Sequence, residues 1–259
     1  MSKKILALIV LGMFVMAIGL TGCGSQKSTT QAPKVIRVGS ETAFAPFEFQ
    51  DEKTKEYTGF DMDLIRALGK QMGYEVQIVS MGFDGLIPAL DAGNIDVIAS
   101  GMTITEERAK KVNFSKPYYK SGLTVVVKSD NNTIKGFKDL EGKNIAVQIG
   151  TTGANEAAKV KNAKVRAFNN PPEAFMELRA GGVDAVINDK PVNDYFIAKS
   201  GSKDAKVVGE PLTAEDYGLA TSKKNAELGE KLNKALDELQ KNGEYEKIYV
   251  KWFGVKPAK

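Results

Sequence analysis

The sequence predicts an α/β protein of two lobes, each a mainly parallel sheet flanked by helices, and three observations support this fold class. Short strand patterns such as VIRVG alternate with apolar helical stripes along the chain. A helix end, an Ala-Gly turn and a strand occur in ALDAGNIDVIASG (89–101) and again in ELRAGGVDAVIND (177–189), at an offset of 88. Between the copies, Pro117 disfavours helix at the preceding residue, and an extended segment follows. The alternative is that both copies follow the general pattern of a helix-to-strand turn.

The N-terminus predicts an export signal. Two lysines precede an apolar run from Ile5 to Leu20, which is too short and one-sided to favour a permanent spanning helix. The run leads into LTGC, which resembles the bacterial lipoprotein signal and ends at Cys23. We expect residues 1–22 to be removed, Cys23 to be lipidated, and the polar residues 23–34 to be a flexible linker. The protein would then be an extracytoplasmic lipoprotein on the cell membrane.

Composition excludes several classes of function. The chain has no histidine and one cysteine, which rules out a Ser-His-Asp triad, a Cys-His pair and every histidine-ligated metal site. Removing residues 1–22 lowers the formal charge from +4 to +2, which is too balanced to indicate nucleic acid as a partner. We therefore expect no metal, no cofactor and no nucleic acid.

Helical stripes mark the folded part at both ends. Phe60, Leu64, Leu68 and Met72 recur every four residues and predict one helix. Leucines recur in the same way from Leu228 to Leu239 and predict another, which Gly243 is well placed to end. We expect the second helix to pack back on the first lobe, so that this lobe is discontinuous.

The predicted boundaries follow from these elements. Lobe 1 is expected to contain residues 35–117 and 218–259, and lobe 2 residues 123–212. The extended segments 118–122 and 213–217 are the predicted hinge strands, because the chain must cross between the lobes twice.

Polar residues cluster where strands of both predicted lobes end. Ligands of open α/β sheets bind outside the carboxyl ends of the strands. Ser100-Gly101 in the first lobe and Asn188-Asp189 in the second occupy equivalent strand ends, as do Glu41 and the segment 148–152. If the lobes face each other, these four loops line one cleft.

The charges in these loops predict a dipolar ligand. The guanidinium of Arg108 can grip a carboxylate by two parallel hydrogen bonds, beside the hydroxyl of Thr103. The loop GTTG (150–153) offers backbone amides to an anion at a helix start, although such loops are common. Asp189 could accept hydrogen bonds from an ammonium group. A receptor for a carboxylate and a receptor for an ammonium group together describe an α-amino acid as the ligand. The plainer alternatives are a surface arginine and an aspartate that caps the next turn.

Six segments, taken together, resemble the polar amino acid substrate-binding proteins of bacterial ABC importers, which include glutamine-, arginine- and histidine-binding proteins. The resemblance covers nearly all of residues 35–256, and its segments are AFAPFEF, GFDMDLI, FDGLIPAL, SGMTITEER, FSKPYYKSG and YEKIYVKWFG. It implies a periplasmic-binding-protein-like fold of two lobes that close on one amino acid and deliver it to a membrane permease. A monomer with a free amino acid as ligand is implied as well.

The resemblance also implies roles for individual residues. Arg108 would bind the α-carboxylate with Thr103 and the amides near Thr151 and Thr152. Asp189 would bind the α-ammonium with the help of the Ser100 and Gly101 carbonyl region. Phe44 and Phe83 would enclose the ligand side chain, although most phenylalanines are simply core residues.

Three positions depart from the glutamine-binding pattern. Glu41 stands where aspartate is usual, Gln148 where lysine is usual, and Asn188 where histidine is usual. Compared with that pattern, the pocket keeps an acid at Glu41 but loses a cation at Gln148. The end of the pocket that holds the ligand side chain is therefore more negative, which favours arginine or lysine as the ligand. Glutamine remains an alternative, because it can hydrogen-bond to both residues.

Two other classes of function use the same fold. A dehydratase-like enzyme would employ Glu41 or Glu173 as a proton donor, but the receptors for both charges of an amino acid favour binding over turnover. A sensor domain is normally fused to a membrane segment and cytoplasmic domains, whereas this sequence ends at Lys259, so transport is the expectation.

Overall fold

A computed structural model describes residues 34–200 and 203–257 of the chain. The predicted signal peptide, Cys23 and nearly all of the predicted linker lie outside these described residues. The strands are β1 (Lys34–Ser40), β2 (Ala43–Phe44), β3 (Glu48–Gln50), β4 (Tyr57–Thr58), β5 (Tyr74–Ser80), β6 (Val97–Ile98), β7 (Val112–Phe114), β8 (Tyr119–Ser121), β9 (Leu123–Lys128), β10 (Asn144–Gln148), β11 (Lys164–Phe168), β12 (Ala185–Asp189), β13 (Ala205–Val208), β14 (Glu215–Tyr217) and β15 (Ala220–Ser222). The helices are α1 (Phe60–Met72), α2 (Leu86–Asp91), α3 (Glu106–Lys111), α4 (Thr152–Ala157), α5 (Pro171–Ala180), α6 (Lys190–Ser200), α7 (Ala226–Lys241) and α8 (Glu244–Phe253).

Two five-stranded sheets form the two lobes, and they share one plan. The first has the order β5-β1-β6-β15-β7 and the second the order β11-β10-β12-β9-β13. In each sheet the first three strands of the order are parallel to one another. The fourth strand is antiparallel to both of its neighbours, the third and the fifth. The repeat at an offset of 88 falls on β6 and β12, which hold the same place in their sheets. The predicted two-lobed α/β fold is therefore confirmed.

Apolar faces bury each sheet against its helices. In lobe 1 the predicted stripe forms α1, in which Phe60, Leu64 and Leu68 are fully buried. In lobe 2 a separate cluster surrounds β9, β10 and β12, with Val125 and Ile145 among its buried members. These cores hold the strand ends rigidly, which is what a binding site on their connecting loops requires.

Strands β8 and β14 lie between the sheets and pair with each other. Their register sets Tyr119 opposite Tyr217 and Ser121 opposite Glu215 in an antiparallel ladder. Both strands fall within the segments predicted as hinges, 118–122 and 213–217. This pairing supports the predicted division of the lobes, which stays a prediction.

The C-terminal helices pack on lobe 1. The prediction that Gly243 ends the leucine-rich helix is confirmed, because α7 ends at Lys241 with Asn242 as its C-cap, and Gly243 follows in the left-handed conformation with φ +80° and turns the chain into α8. From α8, the ring of Phe253 lies 5.2 Å from that of Phe60, and the indole nitrogen of Trp252 donates to Asp63 at 2.7 Å. In the described part of the chain, no helix is both long and apolar enough to cross a bilayer.

Candidate functional site

Arg108 joins the strand-end loops of the two lobes. Its Nη1 donates to the carbonyl oxygen of Thr103 at 2.8 Å, and its Nη2 donates to that of Gly150, in the second lobe, at 3.0 Å. The guanidinium carbon lies 5.2 Å from the centre of the Phe83 ring. The predicted carboxylate receptor therefore lies in a cleft that both lobes line, rather than on an outer helix face.

Local structure explains how these loops meet. Thr105 caps α3 by accepting a hydrogen bond from the Arg108 amide at 3.1 Å, which fixes the helix start that carries the guanidinium. Gly150 has φ +76°, and a Cβ there would lie 3.1 Å from Cβ of Asp84 in lobe 1. The positive φ and the close approach both favour glycine where the second lobe touches the first.

Asp189 ends β12 and is held by both crossing strands. Its Oδ1 accepts hydrogen bonds from the hydroxyls of Tyr217 at 2.6 Å and Ser121 at 3.1 Å, and the residue is only 5% exposed. Burial raises the pKa of Asp189 to about 7, and the negative charge of Glu215 adds to this, while the two hydroxyls and Arg108 act against it. A cation placed beside this carboxyl would stabilise its ionised form.

The Ser100-Gly101 loop is held by hydrogen bonds to residues of the first lobe. Ser100 accepts a hydrogen bond from the Glu41 amide at 2.9 Å and donates to Glu48 at 3.0 Å. The Gly101 amide donates to Asp61 at 2.9 Å. Gly101 has φ +49°, and a Cβ there would lie 2.8 Å from the ring of Phe44. The aromatic ring therefore packs directly on the loop, where a larger residue than glycine would displace it.

Two buried acids beneath this loop were not predicted as part of the site. Glu48 and Asp61 are both fully buried, and Asp61 also accepts a hydrogen bond from the Tyr118 hydroxyl at 2.6 Å. Burial, together with the charges of Asp61 and Glu41, raises the pKa of Glu48 well above its usual range. Among the described residues, Oε2 of Glu48 and Oδ1 of Asp61 lack other partners, so a proton on Glu48 shared with Asp61 satisfies both.

Glu41 adds a further buried carboxyl, and its backbone amide is bound to Ser100. It is 7% exposed, and within the described chain its Oε2 has no hydrogen-bond partner. Burial raises the pKa of Glu41 to about 7, while hydrogen bonds from Gln148 and the Ala43 backbone lower it and the charge of Glu173 raises it. Gln148 is also buried and donates to the Asn169 carbonyl at 3.1 Å.

Two predicted residues direct their side chains to neighbouring helices. The Asn188 amide donates to Asn193 of α6 at 3.5 Å. The Thr151 hydroxyl caps α4, accepting from the Ala154 amide at 3.1 Å and donating to the Gln148 carbonyl at 2.8 Å. Thr151 can therefore contribute only its backbone to the cleft, as the amide role requires.

Two further predicted residues, Thr103 and Thr152, bind to Glu215, an acid that was not predicted from the sequence as part of the site. Thr103 and Thr152 both donate hydrogen bonds to Glu215, at 2.7 and 3.0 Å. Glu215 and Tyr217 lie in the segment that was interpreted only as a crossing strand, and no spacing in it indicates a role in the site.

The site thus holds the guanidinium of Arg108 and the buried carboxyl of Asp189 close enough for the charge of each to act on the pKa of the other. The buried carboxyl of Glu41 belongs to a residue whose backbone is fixed to Ser100. Such an arrangement complements a dipolar molecule. In residues 34–200 and 203–257 there is no group of three acidic, histidine or cysteine side chains that could hold a metal ion.

Comparison with known proteins agrees with this geometry. Residues 36–255 match the family model described as "Bacterial extracellular solute-binding proteins, family 3". The "Arginine-binding extracellular protein ArtP" of Bacillus subtilis is 36% identical, over 97% of this chain and 98% of the relative. The chain therefore belongs to the bacterial extracellular solute-binding proteins of family 3.

Two solved structures are similar at the level of the fold and the sequence. "An ancestral arginine-binding protein bound to arginine" has a TM-score of 0.82 and 48% identity, over 85% of this chain and 98% of the other. "An ancestral arginine-binding protein bound to glutamine" has a TM-score of 0.80 and 47% identity, over 86% of this chain and 100% of the other.

Proposed function

We propose that the protein captures one free amino acid between its lobes, outside the cytoplasm, and delivers it to the permease of an ABC importer. The observation that carries this proposal is that Arg108, which reaches Gly150 of the second lobe, and buried Asp189 are close enough for the charge of each to act on the pKa of the other. The two groups come from different sheets and have opposite charge. An α-amino acid carries the matching carboxylate and ammonium on one carbon.

The ligand's α-carboxylate binds Arg108 in this proposal. The guanidinium exchanges its bonds to the Thr103 and Gly150 carbonyls for a bidentate bond to the ligand, aided by the amides near Thr151 and Thr152. The α-ammonium binds Asp189 and the carbonyls of the Ser100-Gly101 loop. Each charged hydrogen bond contributes about 1.5–3 kcal/mol, so a few of them account for micromolar or tighter binding.

A cationic side chain fits the far end of the cleft best. Glu41 has one buried oxygen without a partner among the described residues, and no lysine accompanies it, because Gln148 takes that place. A guanidinium or ammonium would supply the missing donor and favour the ionised carboxyl. Arginine or lysine is therefore the first candidate. Glutamine is the second, since a similar protein is described bound to it and its amide could donate to Glu41.

Closure follows from the division of contacts between lobes. A ligand that bonds to Arg108 and Glu41 of lobe 1 and Asp189 of lobe 2 is fully bonded only when the lobes meet. Bonds worth a few kcal/mol are enough to invert an opening preference of the same size. The strands β8 and β14 are the hinge in this account, and the closed form is the one that the permease recognises.

Binding is favoured over turnover. Glu173, the alternative proton donor, accepts hydrogen bonds from the Asn169 amide at 3.1 Å and from the Asn170 side chain at 3.0 Å, at the first turn of α5. These bonds suit a helix-capping acid. The similar proteins named above are also binding proteins.

Isothermal titration calorimetry of the purified protein with arginine, lysine, histidine, glutamine and glutamate tests the proposal. We expect arginine or lysine to bind more tightly than glutamine, and glutamate not to bind, because its carboxylate would face Glu41. No heat from any of the five, or glutamate binding as well as arginine, would overturn it.

The membrane anchor is a separate part of the proposal. Lipidation at Cys23 would tether the protein, as a monomer, to the outer face of a membrane. Expression of a Cys23→Ser variant in the native cell should move the protein from the membrane fraction to the soluble fraction. An unchanged distribution would argue against the anchor and leave the ligand site untouched.

A further inference from the structure

Glu215 collects three threonine hydroxyls at the junction of the lobes. Its Oε2 accepts hydrogen bonds from Thr103 at 2.7 Å and from Thr152 at 3.0 Å, and its Oε1 accepts one from Thr213 at 3.1 Å. Thr103 follows β6 of the first sheet, Thr152 begins α4 after β10 of the second, and Glu215 begins the crossing strand β14. One carboxylate therefore joins both lobes and the strand between them.

Only one of these bonds crosses the gap between the lobes. Backbone bonds tie the Thr103 loop to β14, because Ile104 donates to the Asp216 carbonyl at 2.8 Å and Gly218 donates to the Met102 carbonyl at 3.0 Å. Thr103 and Glu215 therefore remain together when the lobes separate. The bond from Thr152 to Glu215 is the one that separation would break.

The carboxylate chemistry of Glu215 decides which partner donates in these hydrogen bonds. An ionised carboxylate can only accept hydrogen bonds, so both hydroxyls must point their protons at it. The backbone amides beside Thr103 and Thr152 are then left for a different anion. Such charge-assisted bonds are roughly twice as strong as neutral ones.

We propose that Glu215 is a positioning residue that latches the lobes together through Thr152 and so preassembles the carboxylate end of the ligand cleft. This deepens the proposed function and rests on it for the effect on affinity. The effect on lobe separation does not depend on the ligand. Loss of the latch shifts the lobes toward separation, and the ligand then has to supply the closing free energy from its own bonds.

Interlobe distance, measured before any ligand is added, is the direct test. Spin labels at Lys111→Cys and Lys159→Cys, two exposed positions that border the cleft from opposite lobes, report the distance in a Cys23→Ser background. We expect Thr152→Val and Glu215→Ala to lengthen the mean distance and to weaken arginine binding about tenfold. Glu215→Gln, which keeps an acceptor but no charge, should fall between them and the wild type.

Asp216→Asn is the matched control. Asp216 is the next residue of the same strand, and among the described residues its side chain makes one 3.9 Å ion pair, with exposed Lys120. We expect this variant to match the wild type in both distance and affinity.

A double-mutant cycle separates the latch from general damage. If the Thr152-to-Glu215 bond is the latch, Thr152→Val should have no further effect on the distance in a Glu215→Ala background. Distances unchanged in all variants, fully additive effects, or tighter arginine binding by Glu215→Ala would overturn the latch. Absence of any amino acid binding by the wild type would instead overturn the proposed function.

Discussion

The affinity for arginine should depend on pH more steeply than the affinity for glutamine, because Glu41 titrates in the relevant range. Burial raises the pKa of Glu41 to about 7, so below that pH the carboxyl is mostly protonated and neutral. A ligand cation needs the ionised form and therefore has to displace the proton. Its affinity rises with pH and levels off once the pH exceeds the pKa of Glu41.

The magnitude follows from the two buried carboxyls. Asp189 also has its pKa raised to about 7 by burial. In the proposed binding mode it faces the α-ammonium that every amino acid carries. Between pH 6 and pH 8 each such carboxyl changes from about one-tenth to about nine-tenths ionised, which is a factor of about ten. Glutamine, which needs only Asp189 ionised, should gain about tenfold, and arginine, which needs Glu41 as well, about a hundredfold. The arginine side chain itself stays protonated throughout.

Calorimetric titrations at pH 6, 7 and 8 measure how steeply the affinity for each ligand rises with pH, which is the slope for that ligand. Buffers of different ionisation enthalpy count the protons released. The Glu41→Gln variant is the control, because it should reduce the arginine slope to that of glutamine while leaving the glutamine slope unchanged. Equal slopes for the two ligands in the wild type would refute the role of Glu41. An excess arginine slope that persists in the variant would do so as well.

Four further substitutions test other parts of the site. Arg108→Ala should weaken the binding of every amino acid by about 3 kcal/mol, or roughly a hundredfold, in calorimetric titrations. A loss confined to cationic ligands would contradict the role of Arg108 as the receptor for the α-carboxylate. Glu48→Gln should change the Tm by less than about 2 °C, because an amide can donate to Asp61 as the protonated acid does. Asp61→Ala should lower the Tm by about 4–8 °C, because it removes the oxygen that accepts hydrogen bonds from Gly101 and Tyr118. Scanning calorimetry distinguishes these outcomes, and equal losses would contradict the shared proton. Tyr217→Phe should weaken all amino acids about tenfold without changing their order in competition assays, because Asp189 loses one of its two hydroxyl donors.

The sequence predicted the parts of the site that follow from sheet topology. Arg108 and Asp189 could be placed together because both follow strand ends, and the carboxyl ends of strands in two facing sheets line one cleft. The repeat at an offset of 88 indicated the second lobe, since a helix-to-strand turn of the same form recurs on equivalent strands. Charge complementarity then predicted the class of ligand.

The residues that were missed depend on packing that no local pattern encodes. Glu48 alternates with phenylalanines in a short strand, and Asp61 stands in the first turn of α1, where acids commonly face solvent. Only the fold brings them together under Ser100 and Gly101. Glu215 was missed for the same reason, because two of its partners, Thr103 and Thr152, lie more than sixty residues away in two different lobes.

The end of the leucine-rich helix could be predicted from a local pattern. A glycine after an apolar stripe is typical of a helix end, because it adopts the left-handed conformation without a steric cost. Gly243 does so with φ +80°, directly after Asn242, the C-cap of α7. The helix α8 that starts after this glycine was not part of the prediction.

Titration with blocked forms of the ligand tests the central claim most directly. Arginine, N-acetylarginine and arginine amide share one side chain, but the second lacks the α-ammonium and the third lacks the α-carboxylate. If opposed charges at Arg108 and Asp189 hold the two ends of a free amino acid, arginine should bind and each blocked form should bind at least about a hundredfold more weakly. Binding of either blocked form as tight as that of arginine would contradict the account.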